Sequence, residues 1–375
     1  MKIFIVGDVY LGRRLSQFHD WQSESVFQGI KGLIQDSNLA VFNLEGPVTE
    51  EDQPIWKTGP NLKMSPGGSF FLKEAGFNLA TLSNNHIFDF GEAGLSETIA
   101  HLEEAKLDYL GAGNSLQAAR APYVFKAGGR SVGILNFAEN EWSTTHGKSP
   151  GANPNDLVNN FRDIRALKKQ VDFVVVVTHG GHELSRCPSP AMRERLRFYV
   201  EAGANAVLNH HQHVVSGFER YLDAPIFYGL GNCLFDGGIE ASDVWCAGIG
   251  VTLTLSDEGV DFDVHHFDQC RGRLAINSCS ASEAEKRNWK LQELNKVIAD
   301  DDLLEHHFLK ELQLRAKLYR AYLFPVRNRY LQALHNRGLF PSLLSRQKKR
   351  LYLNLTRCES HREALTWLIE QELGD

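Results

Sequence analysis

Histidine is unevenly distributed in this chain, and the dense region is where metal or acid–base chemistry is to be expected. Positions 179–213 hold five of the 15 histidines, whereas an even distribution over 375 residues would place about 1.4 in such a window. The pair His211 and His213 directly follows an apolar run, so one loop can direct both imidazoles to a single point. Imidazole nitrogens are common ligands of divalent metals. The spacing therefore predicts a metal site.

Oxygen donors occupy comparable places elsewhere in the chain. Asp8, Glu45 and Asn85 each come at or just after the end of an apolar run, as His179 does. A mixed set of carboxylate, amide and imidazole ligands suits Mn, Fe, Zn or Co better than a sulfur-rich structural zinc site does. A single polar residue at a strand end is often only a cap. Six of them in the same kind of position favour a divalent-metal centre.

The elements that must position these residues alternate between strand and helix over residues 1–235. Short β-branched and Phe-rich runs predict strands at Ile3–Val6, Leu39–Asn43, Leu79–Leu82, Val132–Phe137, Val171–Thr178 and Ala206–Leu208. Helical patterns lie between several of them, at Ser25–Gln35, Glu92–Ala105, Asn155–Lys169 and Pro190–Ala202. This alternation predicts an α/β domain. In such sheets ligands bind beyond the carboxyl ends of the strands, so distant polar residues can converge there.

The pattern changes after residue 245. Alternating apolar residues at Gly248–Leu255 and Asp261–Phe267 predict a returning hairpin, and helix formers dominate from residue 281 onwards. Pro325 and Pro341 divide that region into three or four helices. We therefore predict a domain over residues 1–270 and a basic helical C-terminal region over residues 281–375.

Charge separates the same two regions. The formal net charge is −6, but residues 310–350 contain eleven Lys or Arg against one acid. This basic segment either lies on an anionic membrane or acidic polymer, or docks on the α/β domain with its charged face in water, and we favour docking. We expect no nucleic-acid partner.

Composition excludes several classes of protein. Apolar residues make up 43% and charged residues 23% of the chain, the balance of an ordinary globular protein. No apolar run approaches the length of a membrane span, and the five or so apolar residues before Gly7 are too few for a signal-peptide core. We therefore expect a cytoplasmic protein. The six cysteines form no Cys-x-x-Cys pair, which predicts free thiols.

Six motifs occur in order along the chain: GDVYLG (7–12), NLEGP (43–47), SNNHIFDFG (83–91), HGGHE (179–183), NHHQHV (209–214) and YGLGNCLFD (228–236). Over about residues 1–270 this series resembles the CapA family, known for poly-γ-glutamate capsule synthesis, in the calcineurin-like metallophosphoesterase superfamily. The resemblance implies a four-layer α/β fold, a β-sandwich flanked by helices, here with a helical C-terminal extension. It also implies a metal centre at the strand ends, usually of two ions.

The resemblance further implies metal ligands. The first ion would be held by Asp8 and His213, the second by Asn85, His179 and His211, and Glu45 would bridge the two. Two departures from the superfamily pattern concern the first ion. Tyr10 stands where a His is usual, and Glu45 stands where an Asp usually bridges. The first metal is therefore expected to be one ligand short.

Other residues receive catalytic or binding roles. By resemblance His86 would be the general acid or base, and Asp89, three residues later, could fix its ring. Glu183 would orient His179 or bind substrate. Arg13 and Arg14 could hold an anionic group of the substrate, or could equally be solvated surface arginines.

Three functions are compatible with these residues. The first is a metal-dependent hydrolase acting on an anionic substrate, small molecule, peptide or polymer, at a phosphoester or a γ-glutamyl-like amide. The second is metal-assisted epimerisation of a peptide at the same site. The third is a non-catalytic accessory role in capsule polymer assembly. Solvent deuterium incorporation without bond cleavage would distinguish the second from the first.

Overall fold

The structure is a computed structural model that describes residues 1–17, 23–57, 59–238, 241–322, 328–357, 369 and 373. Its strands are β1 (Lys2–Tyr10), β2 (Leu39–Leu44), β3 (Leu79–Thr81), β4 (Asp108–Leu110), β5 (Ala112–Gly113), β6 (Tyr123–Ala127), β7 (Arg130–Ala138), β8 (Gly151–Ala152), β9 (Phe173–His179), β10 (Ala206–His210), β11 (Phe218–Tyr221), β12 (Ala224–Phe227), β13 (Asn232–Phe235), β14 (Ala247–Ser256), β15 (Gly259–Gln269) and β16 (Ile276–Ser278). A 3-10 helix covers Arg13–Gln17.

The helices are α1 (Ser23–Val26), α2 (Lys31–Gln35), α3 (Gly67–Glu74), α4 (Gly91–Glu104), α5 (Leu116–Ala119), α6 (Leu157–Leu167), α7 (Pro190–Ala202), α8 (Asp243–Cys246), α9 (Ala281–Ala299), α10 (Asp301–Tyr322), α11 (Arg329–Asn336) and α12 (Arg346–Arg357). Side-chain oxygens cap several of them. Asp156 accepts hydrogen bonds from two backbone N–H groups at the start of α6, and Ser189 accepts one at the start of α7. Such caps satisfy N–H groups that have no partner within the helix.

Two large sheets form a sandwich. The first has eight strands in the order β16-β15-β14-β1-β2-β3-β4, with β13 also paired to β1, and the second has six in the order β11-β12-β10-β9-β7-β6. The central strands of each sheet are parallel: β1 with β2 and β3 in one, β7 with β9 and β10 in the other. Their carboxyl ends therefore meet at one edge of the sandwich.

Alternation along the central strands produces the layers. Ile3 and Ile5 of β1 pack with Val175 and Val177 of β9 in the core between the two sheets. Phe4 faces outward, to the layer containing α1, α3 and α4. On the other sheet, outward residues of β9 pack with α6, α7 and α9. Successive strand residues point to opposite faces, so strands covered on both sides must be apolar throughout.

This four-layer arrangement confirms the predicted fold class, a β-sandwich flanked by helices. The chain divides into two compact units, Met1–Phe308 and Leu309–Asp375. Helix α9 lies within the first unit, where it contacts β11 and β15. Every regular element described after residue 281 is a helix. Within the described ranges, no helix is long and apolar enough to cross a membrane.

One predicted helix is wrong in detail. Ser25–Gln35 is divided into α1 and α2, because the backbone of Gly29 lies against β16. The N–H of Gly29 donates to Ile276 O (3.2 Å), outside any helix, and a Cβ at position 29 would lie 2.7 Å from that oxygen. The cysteine prediction is confirmed for Cys187, Cys233, Cys246, Cys270 and Cys279, which are free thiols. Cys358 lies outside the described residues.

Candidate metal centre

Two buried carboxylates and an imidazole form the first half of the site. Oδ2 of Asp8 lies 3.6 Å from Nδ1 of His213, and Oε1 of Glu45 lies 3.4 Å from its Nε2. One ligand atom from each of the three residues falls within 4.8 Å of the others. Neither Asp8 nor Glu45 has solvent exposure. This is a compact set of O and N donors of the kind that holds a divalent ion.

The second half consists of an amide and two imidazoles. Nε2 of His179 lies 3.0 Å from Oδ1 of Asn85 and 3.1 Å from Nδ1 of His211. The two halves adjoin, because Nδ1 of His179 lies 3.9 Å from Oδ1 of Asp8. The structure therefore brings together all six residues proposed as metal ligands from their positions at strand ends.

The strands explain this convergence. Asp8 lies in β1 opposite Asn43 of β2 and Asn232 of β13, while His179 at the end of β9 pairs in register with His210 of β10. Irregular register on both sides of Asp8 allows the chain to turn its carboxylate towards the other sheet. Gly7 permits this close packing, since a Cβ there would lie 1.7 Å from Gly231 O.

The loop after β10 carries both later histidines in unusual backbone conformations. His211 has a φ of 96° and His213 a φ of 58°, both in the left-handed region that non-glycine residues rarely adopt. Gln212 between them holds the loop, because its amide donates to Gly180 O (2.8 Å) and its Oε1 accepts from Asn209 (2.9 Å). Backbone strain of this kind concentrates at functional sites.

Two asparagines support the ligands, and neither is among the site residues proposed from the sequence. Nδ2 of Asn43 donates to Oδ1 of Asp8 (2.8 Å), and Oδ1 of Asn232 lies 2.9 Å from Nδ1 of His213. The second contact leaves the other ring nitrogen of His213 facing Glu45. Partners of this kind orient metal ligands. Asn43 lies at the end of an apolar run, so the strand-end criterion applied to Asp8 would also have selected it, whereas Asn232 begins β13 and does not meet that criterion.

Burial dominates the electrostatics of the site. The pKa of Glu45 is well above its usual range because the carboxylate is fully desolvated and lies near the charge of Asp8. Burial likewise raises the pKa of Asp8 and places the pKa of His179 well below its usual value. For His210 and His211, burial lowers the pKa to about 3. The imidazoles are therefore neutral at physiological pH, the form in which they bind metals.

A divalent cation fits this donor set. Both carboxylate oxygens of Glu45 are buried, and neither has a hydrogen-bond partner among the described residues. An ionised buried carboxylate without a partner is costly, and the carboxylate of Asp8 nearby raises that cost. A bound cation would compensate both charges. The donor set therefore supports a divalent metal. Apart from Glu45, which the resemblance would share between both ions, the first half has two ligand candidates, Asp8 and His213, and the second half has three.

Tyr10 explains why. Its ring is buried, 4.8 Å from the ring of Phe235, so this position contributes to the core and offers no ligand. His210 lies close by, with Nδ1 3.9 Å from Oδ1 of Asp8 and without a hydrogen-bond partner among the described residues. It was not proposed as a ligand, although it stands in the same motif as His211.

The proposed acid–base group lies beside the cluster. Nδ1 of His86 is 2.7 Å from Oδ2 of Asp89, as expected from their spacing. The structure adds Lys57, whose Nζ lies 3.2 Å from the same ring nitrogen and forms a salt bridge with Asp89. The side chain of Lys57 is only 2% exposed. No sequence pattern indicates this lysine, because it stands in a polar segment without regular structure.

The remaining proposed residues lie further out. Arg14 forms two hydrogen bonds with the carboxylate of Asp236 (2.8 and 2.5 Å), so its charge is compensated within the fold. Arg13 is exposed and donates to the backbone carbonyl of Asp236 (3.2 Å). Glu183 is exposed, yet its charge contributes to the raised pKa of Glu45. Nδ2 of Asn85 lies 3.5 Å from Glu141, a residue that the sequence analysis did not select.

Fold and site together define a four-layer α/β protein with a metal-binding cluster at the strand ends. Residues 2–237 match the family described as "Bacterial capsule synthesis protein PGA_cap". The chain belongs to this family, which confirms the resemblance to CapA proteins.

Several known proteins are similar to parts of this chain. The capsule biosynthesis protein CapA of Bacillus anthracis is 33% identical over 62% of this chain and 59% of its own length. The PGA biosynthesis protein CapA of Bacillus subtilis (strain 168) is 31% identical over 62% and 63%. This chain thus spans about three fifths of the length of these relatives. A probable polyglutamine synthesis accessory protein of Mycobacterium tuberculosis is 26% identical over 72% and 77%.

Two solved structures are also similar to this chain at low sequence identity. A novel phosphatase from Mycoplasma pneumoniae is 15% identical, with 78% of this chain and 98% of that chain covered and a TM-score of 0.43. A putative 5'-nucleotidase from Staphylococcus aureus is 15% identical, with 78% and 58% covered and a TM-score of 0.42.

Proposed function

We propose that this chain is a divalent-metal-dependent hydrolase that cleaves an anionic substrate at a phosphoester or an amide bond. One observation carries the proposal: the buried carboxylates of Asp8 and Glu45 share His213 within 4.8 Å, and the oxygens of Glu45 have no partner among the described residues. Without a cation this cluster destabilises the fold. Such an arrangement is typical of a metal site that serves chemistry.

The residues divide between two ions. Asp8 and His213 would hold the first, Asn85, His179 and His211 would hold the second, and Glu45 would contact both. Ions that accept mixed oxygen and nitrogen ligands, namely Mn, Fe, Zn or Co, suit this set. When bound, such ions make water a better nucleophile and stabilise the negative charge that develops on the oxygens of the cleaved bond.

His86 would act as the general acid or the general base. Its Nδ1 is engaged by Asp89 and Lys57, which leaves Nε2 for the substrate. Lys57 can donate to Nδ1, and the ring then carries its proton on Nε2 and can give it to a leaving group. Asp89 can instead accept a hydrogen bond from Nδ1–H, and Nε2 then carries the lone pair and is a base. This pair fixes the ring and supports either role.

The substrate class follows from charge and from the relatives. Exposed Arg13 would contact an anionic group of the substrate, whereas Arg14 forms hydrogen bonds with Asp236 within the fold. Glu183, whose charge contributes to the raised pKa of Glu45, would orient His179 or bind substrate. The names of the relatives refer to capsule, PGA and polyglutamine synthesis, so γ-glutamyl amides belong among the substrates to be tested beside phosphoesters.

Metal analysis combined with a substrate panel tests the proposal. The purified chain is analysed by mass spectrometry for bound metals, then chelated and reloaded with Mn, Fe, Zn or Co. Hydrolysis of p-nitrophenyl phosphate, bis-p-nitrophenyl phosphate, γ-glutamyl-p-nitroanilide and poly-γ-glutamate is measured in each state. We expect metal in the purified chain, and activity that is lost on chelation and restored by one of the ions.

A matched pair of variants provides the control. His211→Asn should lose metal and activity together, while His101→Asn on the outer helix α4 should lose neither. Protein that binds no divalent ion would refute the proposal. Incorporation of deuterium into a peptide in D2O, without cleavage of the peptide, would show that the reaction is epimerisation and not hydrolysis.

A further inference from the structure

A cavity of about 210 Å³ lies apart from the metal cluster, lined by α8, α9, β14 and β15. A single buried water needs only about 10–15 Å³ of such volume, so this cavity can accommodate a ligand of several atoms. Four basic side chains line it: Arg186, Arg271, Arg287 and Lys290.

Two of these cations are already neutralised by the protein. Nη1 of Arg271 lies 2.6 Å from the carboxylate of Asp243, and Nη2 of Arg287 lies 3.0 Å from that of Asp268. Arg287 also contacts Glu283 through Nε (3.2 Å). In these pairs the charges of Arg271 and Arg287 are balanced by the carboxylates of Asp243, Asp268 and Glu283.

The other two cations are not held in a salt bridge by the described residues. Arg186 donates only through Nε, to the carbonyl of Val215 (3.4 Å), and both Nη groups lack a hydrogen-bond partner in the described part of the chain. Lys290 is exposed and forms no salt bridge with a described residue, although its charge helps to lower the pKa of Glu283. They come from two separate elements, the segment after β9 and helix α9, and both line the same cavity. With four cations and the two acids Asp243 and Glu283 in its lining, the cavity carries excess positive charge, which favours an anion.

The rest of the lining limits which anion. Val215, Val244 and Leu291 add apolar surface, which suits a short aliphatic stem. Asp243 and Glu283 also line the cavity and reduce its net positive charge, so a singly charged carboxylate matches the cavity better than an anion with two charges on one group.

We propose that this cavity is a second ligand site, which binds an aliphatic carboxylate through Arg186 and Lys290. Its ligand resembles a glutamyl side chain in chemistry, a carboxylate on a short methylene stem. The site is joined to the metal cluster by α8, since Asp243 and Val244 line the cavity and Trp245 of the same helix packs 4.9 Å from the ring of His213. Binding here does not depend on the reaction at the metal centre.

Titration calorimetry with glutarate on the full chain tests this site. We expect glutarate to bind, and its uncharged isostere glutaramide and the cation 1,5-diaminopentane not to bind. Arg186→Gln and Lys290→Gln should each weaken glutarate binding by about tenfold, the usual scale for losing one charged hydrogen-bond donor. Lys296→Gln removes the same charge from α9 outside the cavity, where Lys296 pairs with Glu293, and should change nothing.

The His211→Asn variant separates this site from the metal centre. Glutarate binding should persist in it, whether or not the chain proves to be a hydrolase. Binding that disappears in His211→Asn but survives in both cavity variants would place glutarate at the metal centre and overturn the proposal. Inorganic phosphate that binds more tightly than glutarate, with the same sensitivity to Arg186→Gln, would overturn the assignment to carboxylates.

Discussion

His86 and Asp89 face each other across the turn that follows β3, with 2.7 Å between Nδ1 of the imidazole and Oδ2 of the carboxylate. The same turn carries Asn85, whose Oδ1 points to His179. One short segment thus directs an amide to the metal cluster and an imidazole beside it. Neighbouring residues there have different tasks, and substitutions can separate them.

Replacing His86 by Ala should reduce turnover by about 10²–10⁴-fold while leaving metal content nearly unchanged, because general acid–base catalysis contributes on that scale. Turnover and bound metal are measured on the same preparation. Loss of the metal in this variant would show that His86 is a ligand, and unchanged turnover would show that its role is structural.

Replacing Lys57 by Met should destabilise the protein by about 3–5 kcal/mol, because it leaves the buried carboxylate of Asp89 without its cation. Urea unfolding at neutral pH measures this. The double variant Lys57→Met, Asp89→Asn should recover much of the loss, since both charges are then gone. A double variant no more stable than the single one would show that packing, and not charge, makes Lys57 necessary.

Replacing Glu45 by Gln should stabilise the metal-free protein at pH 7.5 and weaken metal binding. The pKa of Glu45 is raised in the folded state, so the folded chain retains a proton that the unfolded chain releases above its usual value of 4.5. Stability is therefore lost as pH rises above 4.5, and the substitution removes that loss. Urea midpoints in chelator at pH 4.5 and 7.5 measure it.

The two proteins should differ little at pH 4.5 and diverge as pH rises. Glu92→Gln, on the exposed side of α4, is the control and should behave as the unchanged protein does. A metal-free Glu45→Gln protein that is less stable at both pH values would contradict the assignment of an uncompensated charge.

Much of the fold was predictable because its central strands are buried on both faces. Runs such as the one in β9 have few alternatives to a covered strand, and their alternation with helices fixed the fold class. Eight strands were not predicted: β4, β5, β6, β8, β11, β12, β13 and β16. All are short, and the two or three residues of β4, β5, β8 and β16 in particular carry too little pattern, so their pairing depends on neighbours that the local sequence does not specify.

The site residues that lie at strand ends could be predicted from the sequence, and those that lie elsewhere could not. The six ligand candidates share that position, which a linear pattern reveals. Lys57 does not, since it reaches His86 from a segment without regular structure, 29 residues away. Arg14 shows that a residue close to a ligand in sequence can have a structural contact instead of a substrate-binding one. Its proximity to Asp8 suggested substrate binding, while its pairing with Asp236, 222 residues away, is a consequence of the fold.

Lowering the pH should destabilise the metal-free protein through its buried histidines. Burial lowers the pKa of four of them: His179, His210, His211 and His213. Below their usual value of 6.5 the unfolded chain takes up protons that the folded chain does not, so stability falls as pH falls. Each contributes up to about 1.4 kcal/mol per pH unit, and the raised pKa values of Asp8 and Glu45 offset part of this.

Urea midpoints in chelator at pH 7.5, 6.5 and 5.5 measure this dependence, and His211→Asn isolates one histidine. The variant lacks a group whose pKa falls to about 3 on folding. Its free energy of unfolding should therefore decline less steeply below pH 6.5, by up to about 1.4 kcal/mol per pH unit, the slope that one proton contributes. His101→Asn on α4 should keep the steep decline. Equal slopes for the His211 variant and the unchanged protein would mean that the metal-free site opens to water and lets this imidazole take up its proton before the chain unfolds.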